Sequence, residues 1–213
     1  QFLLKRYNKQ STYIAYGAHT FDAPKEEILK DYQVEKGNYN MIMARFEPEN
    51  NLDMVLEGVA LCEEKTTILV IGKHETKYGS YLKNKFKNHD NIRFIGALYN
   101  LDHLNNLRYF SNLYFHGHSV GGTNPSLLEA MASQALVIAH NNEFNKGILK
   151  GNSYYFSNPA EVKNILKTIK KNDNLQLVQN NFEAIEKEFT WNKINAQYLQ
   201  LFEECFSRHK KSK

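Results

Sequence analysis

The feature that most constrains this chain is a rhythm: short β-rich runs alternate with helical stretches along most of its 213 residues. The runs fall at 12–16, 40–46, 67–72, 91–95, 112–116, 136–139 and 153–156. Segments 52–62, 78–87, 101–110, 125–133 and 160–171 have helical spacing, and Leu52, Val55, Leu56, Val59 and Ala60 share one face of the first. From residue 175 the pattern is wholly helical, through Val178, Phe182 and Ile185 and then Ile194, Tyr198, Leu201 and Phe202. Strands alternating with helices of this length form βαβ units, which predicts an α/β fold with a parallel sheet covered on both faces and extra C-terminal helices. Gly72, Gly96 and Gly117 close three of the strands. Ligands of such sheets bind off the carboxyl ends of the strands, so chemistry is sought there.

Residues 1–39 read as a connection carrying a first strand, 40–173 as the core, and 174–213 as C-terminal helices with a basic tail. The chain opens at Gln1 within a helical run, which reads as a piece of a longer protein. Lys and Arg number 27 against 23 Asp and Glu, a net charge of +4, but Arg208, Lys210, Lys211 and Lys213 sit in the last six residues. The body is therefore neutral, which argues against a nucleic-acid surface, and the terminal run reads as a solvated tail. Cys62 and Cys205 stand alone, with no zinc spacing and no disulfide framework, as expected of a reduced, cytoplasmic compartment. Apolar runs such as 68–71 are strand-sized, far short of the roughly 20 residues that span a membrane.

The most informative stretch is His116-Gly117-His118-Ser119-Val120-Gly121-Gly122-Thr123-Asn124-Pro125-Ser126-Leu127-Leu128-Glu129. A strand ends, a glycine-rich turn follows, and Pro125 suits the first position of a helix capped by Asn124 or Thr123. Free amides there, backed by the helix dipole, make an anion site whose usual occupant is phosphate. The same pattern also serves an ordinary tight turn, and it matches neither the dinucleotide fingerprint nor the P-loop. Glu129, one turn into the helix among apolar neighbours, is either a ribose acceptor or a helix-start acid favoured by the dipole. Arg45 follows the apolar run Met41-Ile42-Met43-Ala44, so it is either a surface residue or a guanidinium facing the crevice, where its fork suits a diphosphate. His116 and His118 point the same way and read as polar lining, since two histidines alone make a poor metal site. No Asp-x-Asp pair occurs, so a metal-bridged pyrophosphate lacks its usual ligands and neither metal nor cofactor is expected.

On these residues the chain resembles the C-terminal, donor-binding half of a GT-B glycosyltransferase of family 4, and within it the bacterial rhamnosyltransferase-like group of surface polysaccharide assembly. Ser11-Thr12-Tyr13-Ile14-Ala15-Tyr16-Gly17-Ala18, Met43-Ala44-Arg45-Phe46-Glu47-Pro48-Glu49-Asn50-Asn51, Phe94-Ile95-Gly96, the 121–132 block, Phe144-Asn145-Lys146 and Phe189-Thr190-Trp191 carry the likeness, which covers nearly the whole chain. It implies a Rossmann-like doubly wound sheet. It also implies that Arg45 contacts the donor diphosphate and Glu129 the ribose, these two being the catalytic candidates. The Gly121, Gly122, Thr123, Asn124, Ser126 and Leu127 segment would hold phosphate and sugar, with Leu98 beside the base and Asn50 and His118 completing the donor site.

Two positions depart from the family pattern. A Glu that touches the donor sugar is replaced by Gly121, and a phosphate-binding Lys by Asn50, a charge that Lys73 or Lys146 would have to replace. The resemblance implies retaining, metal-independent transfer from a UDP- or dTDP-sugar to a lipid-linked oligosaccharide in O-antigen or capsule assembly. Transfer would occur at the inner face of the bacterial membrane, with peripheral membrane contact. It also implies a partner N-terminal acceptor domain, without which the 213 residues would bind donor but not turn over. The alternatives are another enzyme of the same fold, such as a sugar-nucleotide epimerase or a glycogen-type phosphorylase, and a non-catalytic nucleotide-sugar-binding module.

Overall fold

The computed structural model describes residues 2–211, with side chains from Leu4 to Ser207. Six of the β-rich runs become strands: β1 (Tyr39–Met43), β2 (Thr67–Ile71), β3 (Ile92–Gly96), β4 (Tyr114–His116), β5 (Val137–His140) and β6 (Tyr154–Phe156). They pair in the order β3-β2-β1-β4-β5-β6, and every pairing is parallel. The helices are α1 (Phe2–Tyr7), α2 (Leu52–Ala60), α3 (Lys77–Lys85), α4 (Leu101–Phe110), α5 (Pro125–Ala132), α6 (Glu143–Leu149), α7 (Pro159–Thr168), α8 (Leu175–Glu188) and α9 (Trp191–Lys211). This is a Rossmann-like, doubly wound α/β sheet with C-terminal helices, as the rhythm predicts.

Strand alternation divides the core in two. Tyr39, Met41, Leu69, Ile71, Tyr114 and Val137 face α4, α5 and α8. Ile42, Ile68, Val70, Phe115, Ile138 and Phe156 face α2, α3 and α7. Because both faces are covered, the central strands read as continuous apolar runs. On the second face α2 and α7 meet so closely that a Cβ at Gly58 would lie 2.4 Å from Val162 Cβ, which explains a glycine in mid-helix.

Three features differ from expectation. Residues 12–16 are not a strand and pair with none of the sheet, and among the described residues a single isolated bridge joins Ala18 to Thr190. The polar stretch 20–38 contains a 3₁₀ segment, Glu26–Tyr32, that buries Ile28 and Leu29. Helix α6 has no counterpart in the apolar periodicity, since its seven residues bury only Asn145 and Leu149; Asn142 caps its start through Asn145 N–H at 3.0 Å. Ser212 and Lys213, and the side chains of Arg208, Lys210 and Lys211, lie outside the described residues, so the expected solvated tail does too.

Candidate active site

The strand order reverses between β1 and β4, and at that switch point their carboxyl ends open a crevice of about 790 Å³. One close backbone crossing shapes it. A Cβ on Gly117 would lie 2.1 Å from the Asn50 carbonyl oxygen, so only glycine lets the loop after β4 approach the loop after β1 this closely. The seam is stitched by Asn51 Nδ2 donating to the Gly117 carbonyl at 2.7 Å, and by Ser119 N–H and Oγ donating to the Glu49 carbonyl at 3.0 and 2.8 Å.

Arg45 leaves β1 exposed on the crevice wall. Asn50, whose side chain is buried, spends its amide on the Arg45 carbonyl at 2.8 Å. Its geometry is that of a brace for the Arg45 loop, and Lys73, beyond β2, is the lysine that lines the crevice. Lys146 is elsewhere, on α6, paired with Glu143 at 3.7 Å.

Opposite Arg45 lies the start of α5. Asn124 caps it, its Oδ1 accepting from Ser126 N–H at 3.0 Å and Ser126 Oγ at 2.9 Å, with Pro125 in the first turn. Among the described residues the amides of Gly121, Gly122, Thr123 and Asn124 make no hydrogen bond, and all four residues line the crevice. Gly121 holds φ at +119°, a conformation that turns the loop and that side chains resist. The Thr123 hydroxyl is bonded to Tyr13 OH, which brings the 12–16 segment to the rim. Ser126 also lines the crevice, but Leu127 does not: its side chain is 1% exposed in the core and its amide bonds the Asn124 carbonyl at 3.1 Å. Leu98 and the exposed Tyr99 supply an apolar wall beyond β3.

His116 and His118 stack, ring centroids 4.4 Å apart and 11° from parallel. Burial pushes His118 down to about 4, with the Arg45 charge adding to the effect and Glu49 opposing it. His116, deeper, is pushed well below the ordinary histidine range by burial and by its neighbour His118. Both rings are therefore neutral at pH 7. Among the described residues neither nitrogen of His116 nor Nδ1 of His118 has a hydrogen-bond partner, while the His118 carbonyl is held by Asn142 and Asn145 at 2.9 and 3.1 Å.

Glu129 reaches the crevice floor one turn into α5. Its Oε2 accepts from Arg108 Nη2 at 2.6 Å. Arg108 was not among the residues singled out by sequence, although its spacing after Leu104 places it on the apolar stripe of α4. Thr76 was also missed; its Oγ1 caps α3 through Gly79 N–H at 2.9 Å, so a second helix start borders the crevice. Together these groups can hold a diphosphate between Arg45, Lys73 and the loop amides, with a carboxylate placed for hydroxyls.

The profile of the family described as "Glycosyl transferases group 1" matches residues 24–187, well over half the chain. The chain belongs to that family. The matched span runs from just before the Glu26–Tyr32 turn to near the end of α8. No curated protein sequence matches it. Solved structures share the fold. Sucrose-phosphate synthase from Thermosynechococcus elongatus superposes with a TM-score of 0.79 at 16% identity, over 97% of this chain and 56% of that one. Anabaena HepE, in complex with UDP-glucose, gives 0.75 at 16% identity, over 84% of this chain and 52% of that one. The C-terminal domain of a group 1 family protein, LpcC, from Francisella tularensis gives 0.65 at 18% identity, over 84% of this chain and 97% of that one. The chain thus spans little more than half of the first two and nearly all of the third. Its architecture is that of a GT-B C-terminal domain.

Proposed function

We propose that this chain is the donor-binding domain of a retaining, metal-independent glycosyltransferase of family 4, in the rhamnosyltransferase-like group. The observation that carries the reading is convergence: Arg45, the unbonded amides of Gly121–Asn124 and the Glu129 carboxylate all face one crevice at the switch point. The donor is a UDP- or dTDP-sugar, a reading supported by the UDP-glucose held by the Anabaena neighbour. The nucleobase lies by Leu98 and Tyr99, the ribose at Glu129, the diphosphate between Arg45 and the glycine loop, and the sugar beyond Gly122 near the neutral His118.

In this mechanism the bond between sugar and phosphate loosens first. Arg45 and the loop amides stabilise the charge on the leaving diphosphate, each well-placed donor contributing about 3 kcal/mol. The acceptor hydroxyl oxygen then bonds the anomeric carbon on the face the phosphate leaves and passes its proton to the departing phosphate oxygen, so configuration is retained and no protein base is required. The absence of any Asp-x-Asp pair fits diphosphate stabilisation by these protein groups.

The acceptor is a lipid-linked oligosaccharide of O-antigen or capsule assembly, met at the cytoplasmic face of a bacterial membrane and seated on a separate N-terminal domain. Contact there is peripheral in this reading; no helix among the described residues is long and apolar enough to cross a membrane. Residues 1–39 serve as the connection, 40–173 as the nucleotide-sugar core and 174–213 as the closing helices.

Calorimetric titration of the intact protein with UDP, dTDP, GDP and ADP tests the reading. Saturable binding of UDP or dTDP, weakened at least tenfold by Arg45→Ala and accompanied by sugar transfer, is expected. Binding of none of the four, or full transfer by Arg45→Ala, overturns it.

A further inference from the structure

A second cavity, of about 510 Å³, opens beside the amino ends of β1 and β4, at the opposite end of the sheet from the crevice. No Asp or Glu lines it, but three lysines do: Lys36, Lys170 and Lys171. Among the described residues none of the three ammoniums is paired with a carboxylate.

Two of the lysines are fastened in place. The Gly37 N–H donates to the Phe110 carbonyl at 2.9 Å, tying the loop that carries Lys36 to the end of α4. The Lys171 N–H donates to Asn112 Oδ1 at 3.0 Å, and Lys171 Nζ donates to the Tyr109 carbonyl. Tyr109 and Phe110 meet edge to face with centroids 4.9 Å apart. Each ring carries an ammonium, Lys171 Nζ 5.2 Å from the Tyr109 centroid and Lys36 Nζ 5.7 Å from that of Phe110. Two neighbouring rings thus bring two positive charges to one cavity, and Lys170 adds a third.

The arrangement is unfavourable as it stands. A half-buried ammonium without a counter-charge gives up hydration that nothing in the chain replaces. Burial pushes the Lys171 amine down to about 7, and the Lys36 charge acts in the same direction. Lys36, Lys170 and the Tyr109 phenol are the titratable groups that line the cavity with it. Three ammoniums call for more than the single charge of a carboxylate, and a phosphomonoester dianion supplies it, lysine serving such groups as a point charge. The volume falls within the range of small-molecule sites, about 300–1,000 Å³, which leaves room beyond the phosphate for the group that carries it.

We propose that this cavity is a second ligand site, separate from the crevice, that binds a phosphomonoester group through Lys36, Lys170 and Lys171. The group belongs either to a small soluble molecule or to the headgroup of an anionic lipid.

The test is calorimetric titration of the intact protein with glycerol 3-phosphate and with sulfate, a dianion whose charge is constant between pH 6 and 8. Saturable sulfate binding is expected, about tenfold tighter at pH 6 than at pH 8 because the Lys171 amine must be protonated to hold the anion. Lys171→Met should weaken both anions at least tenfold and remove the pH dependence, with UDP affinity unchanged. Lys36→Met, an exposed position, should weaken sulfate at least threefold, and it decides the matter if Lys171→Met does not fold. Sedimentation with phosphatidylcholine vesicles, with and without phosphatidic acid, separates the two sources. Lys171-dependent binding to the acidic vesicles marks a lipid headgroup, and glycerol 3-phosphate binding without it marks a soluble ligand. Wild-type protein that binds neither anion nor acidic vesicles overturns the proposal, as do unchanged affinities in the lysine variants. So does complete loss of sulfate binding in Arg45→Ala, which places the anion in the crevice.

Discussion

The side-chain amide of Asn50 donates to the backbone carbonyl of Arg45 at 2.8 Å, from a position only 1% exposed. The guanidinium that faces the crevice is thus braced from inside its own loop. Asn50→Ala removes this donor and leaves the Arg45 carbonyl with the Glu47 N–H alone, at 2.9 Å. The expected loss is about 0.5–1.5 kcal/mol of stability, read by urea denaturation, with weaker nucleotide binding by calorimetry.

The Arg108–Glu129 pair predicts an asymmetry between its two partners. Removing Arg108 leaves a carboxylate that already touches solvent, whereas neutralising Glu129 strands a buried cation. Glu129→Gln should therefore cost about 3 kcal/mol, the low end for such pairs because Glu129 is partly wet. Arg108→Met should cost less than half of that. Equal losses in chemical denaturation would contradict this account.

Gly117 is required by space. A methyl there would press on the Asn50 carbonyl oxygen from 2.1 Å, and backbone cannot swing aside as a side-chain tip would. Gly117→Ala is expected to cost about 1–3 kcal/mol by overpacking. It should also weaken nucleotide binding, because the seam it forces apart joins the Arg45 loop to the glycine loop. A variant with wild-type melting and wild-type affinity would show that the seam is slack.

The stacked histidines set a pH dependence. The unfolded imidazoles take up protons near pH 6.5. In the folded chain burial holds His118 down to about 4 and His116 well below its ordinary range. Above pH 6.5 neither state is protonated and stability is level. As pH falls from about 6.5 toward 4 the unfolded chain gains protons that the folded one refuses, so stability falls. Thermal melts at pH 7.5 and 5 should show this drop, and His118→Asn should reduce it.

The sheet was legible because β-strand runs such as 67–72 are bounded by glycine and carry alternating faces, both apolar. The anion site was legible too: the Gly-Gly-Thr-Asn-Pro string dictates a capped helix start whatever the rest of the chain does. The unread parts depend on neighbours. Residues 12–16 have the composition of a strand but pair with none of the sheet. Asn50 is expected in the donor site in place of a lysine, and only the folded loop shows its amide turned back to the Arg45 carbonyl. Arg108 is the instructive case, since the spacing Leu104, Leu107, Arg108 places it on the buried stripe, and only its charge argued for the surface. What permits it to be buried is Glu129, 21 residues further on.

The bridge between Ala18 and Thr190 is small, yet it settles the topology of the chain's two exits. Ala18 N–H also donates to the Phe189 carbonyl at 2.8 Å, and a Cβ at Gly17 would lie 2.7 Å from the indole of Trp191. The strand of chain arriving at the sheet and the helix departing from it are clasped at one spot. The six strands all lie between these two segments along the chain, so the clasp closes a loop of sequence around the whole sheet.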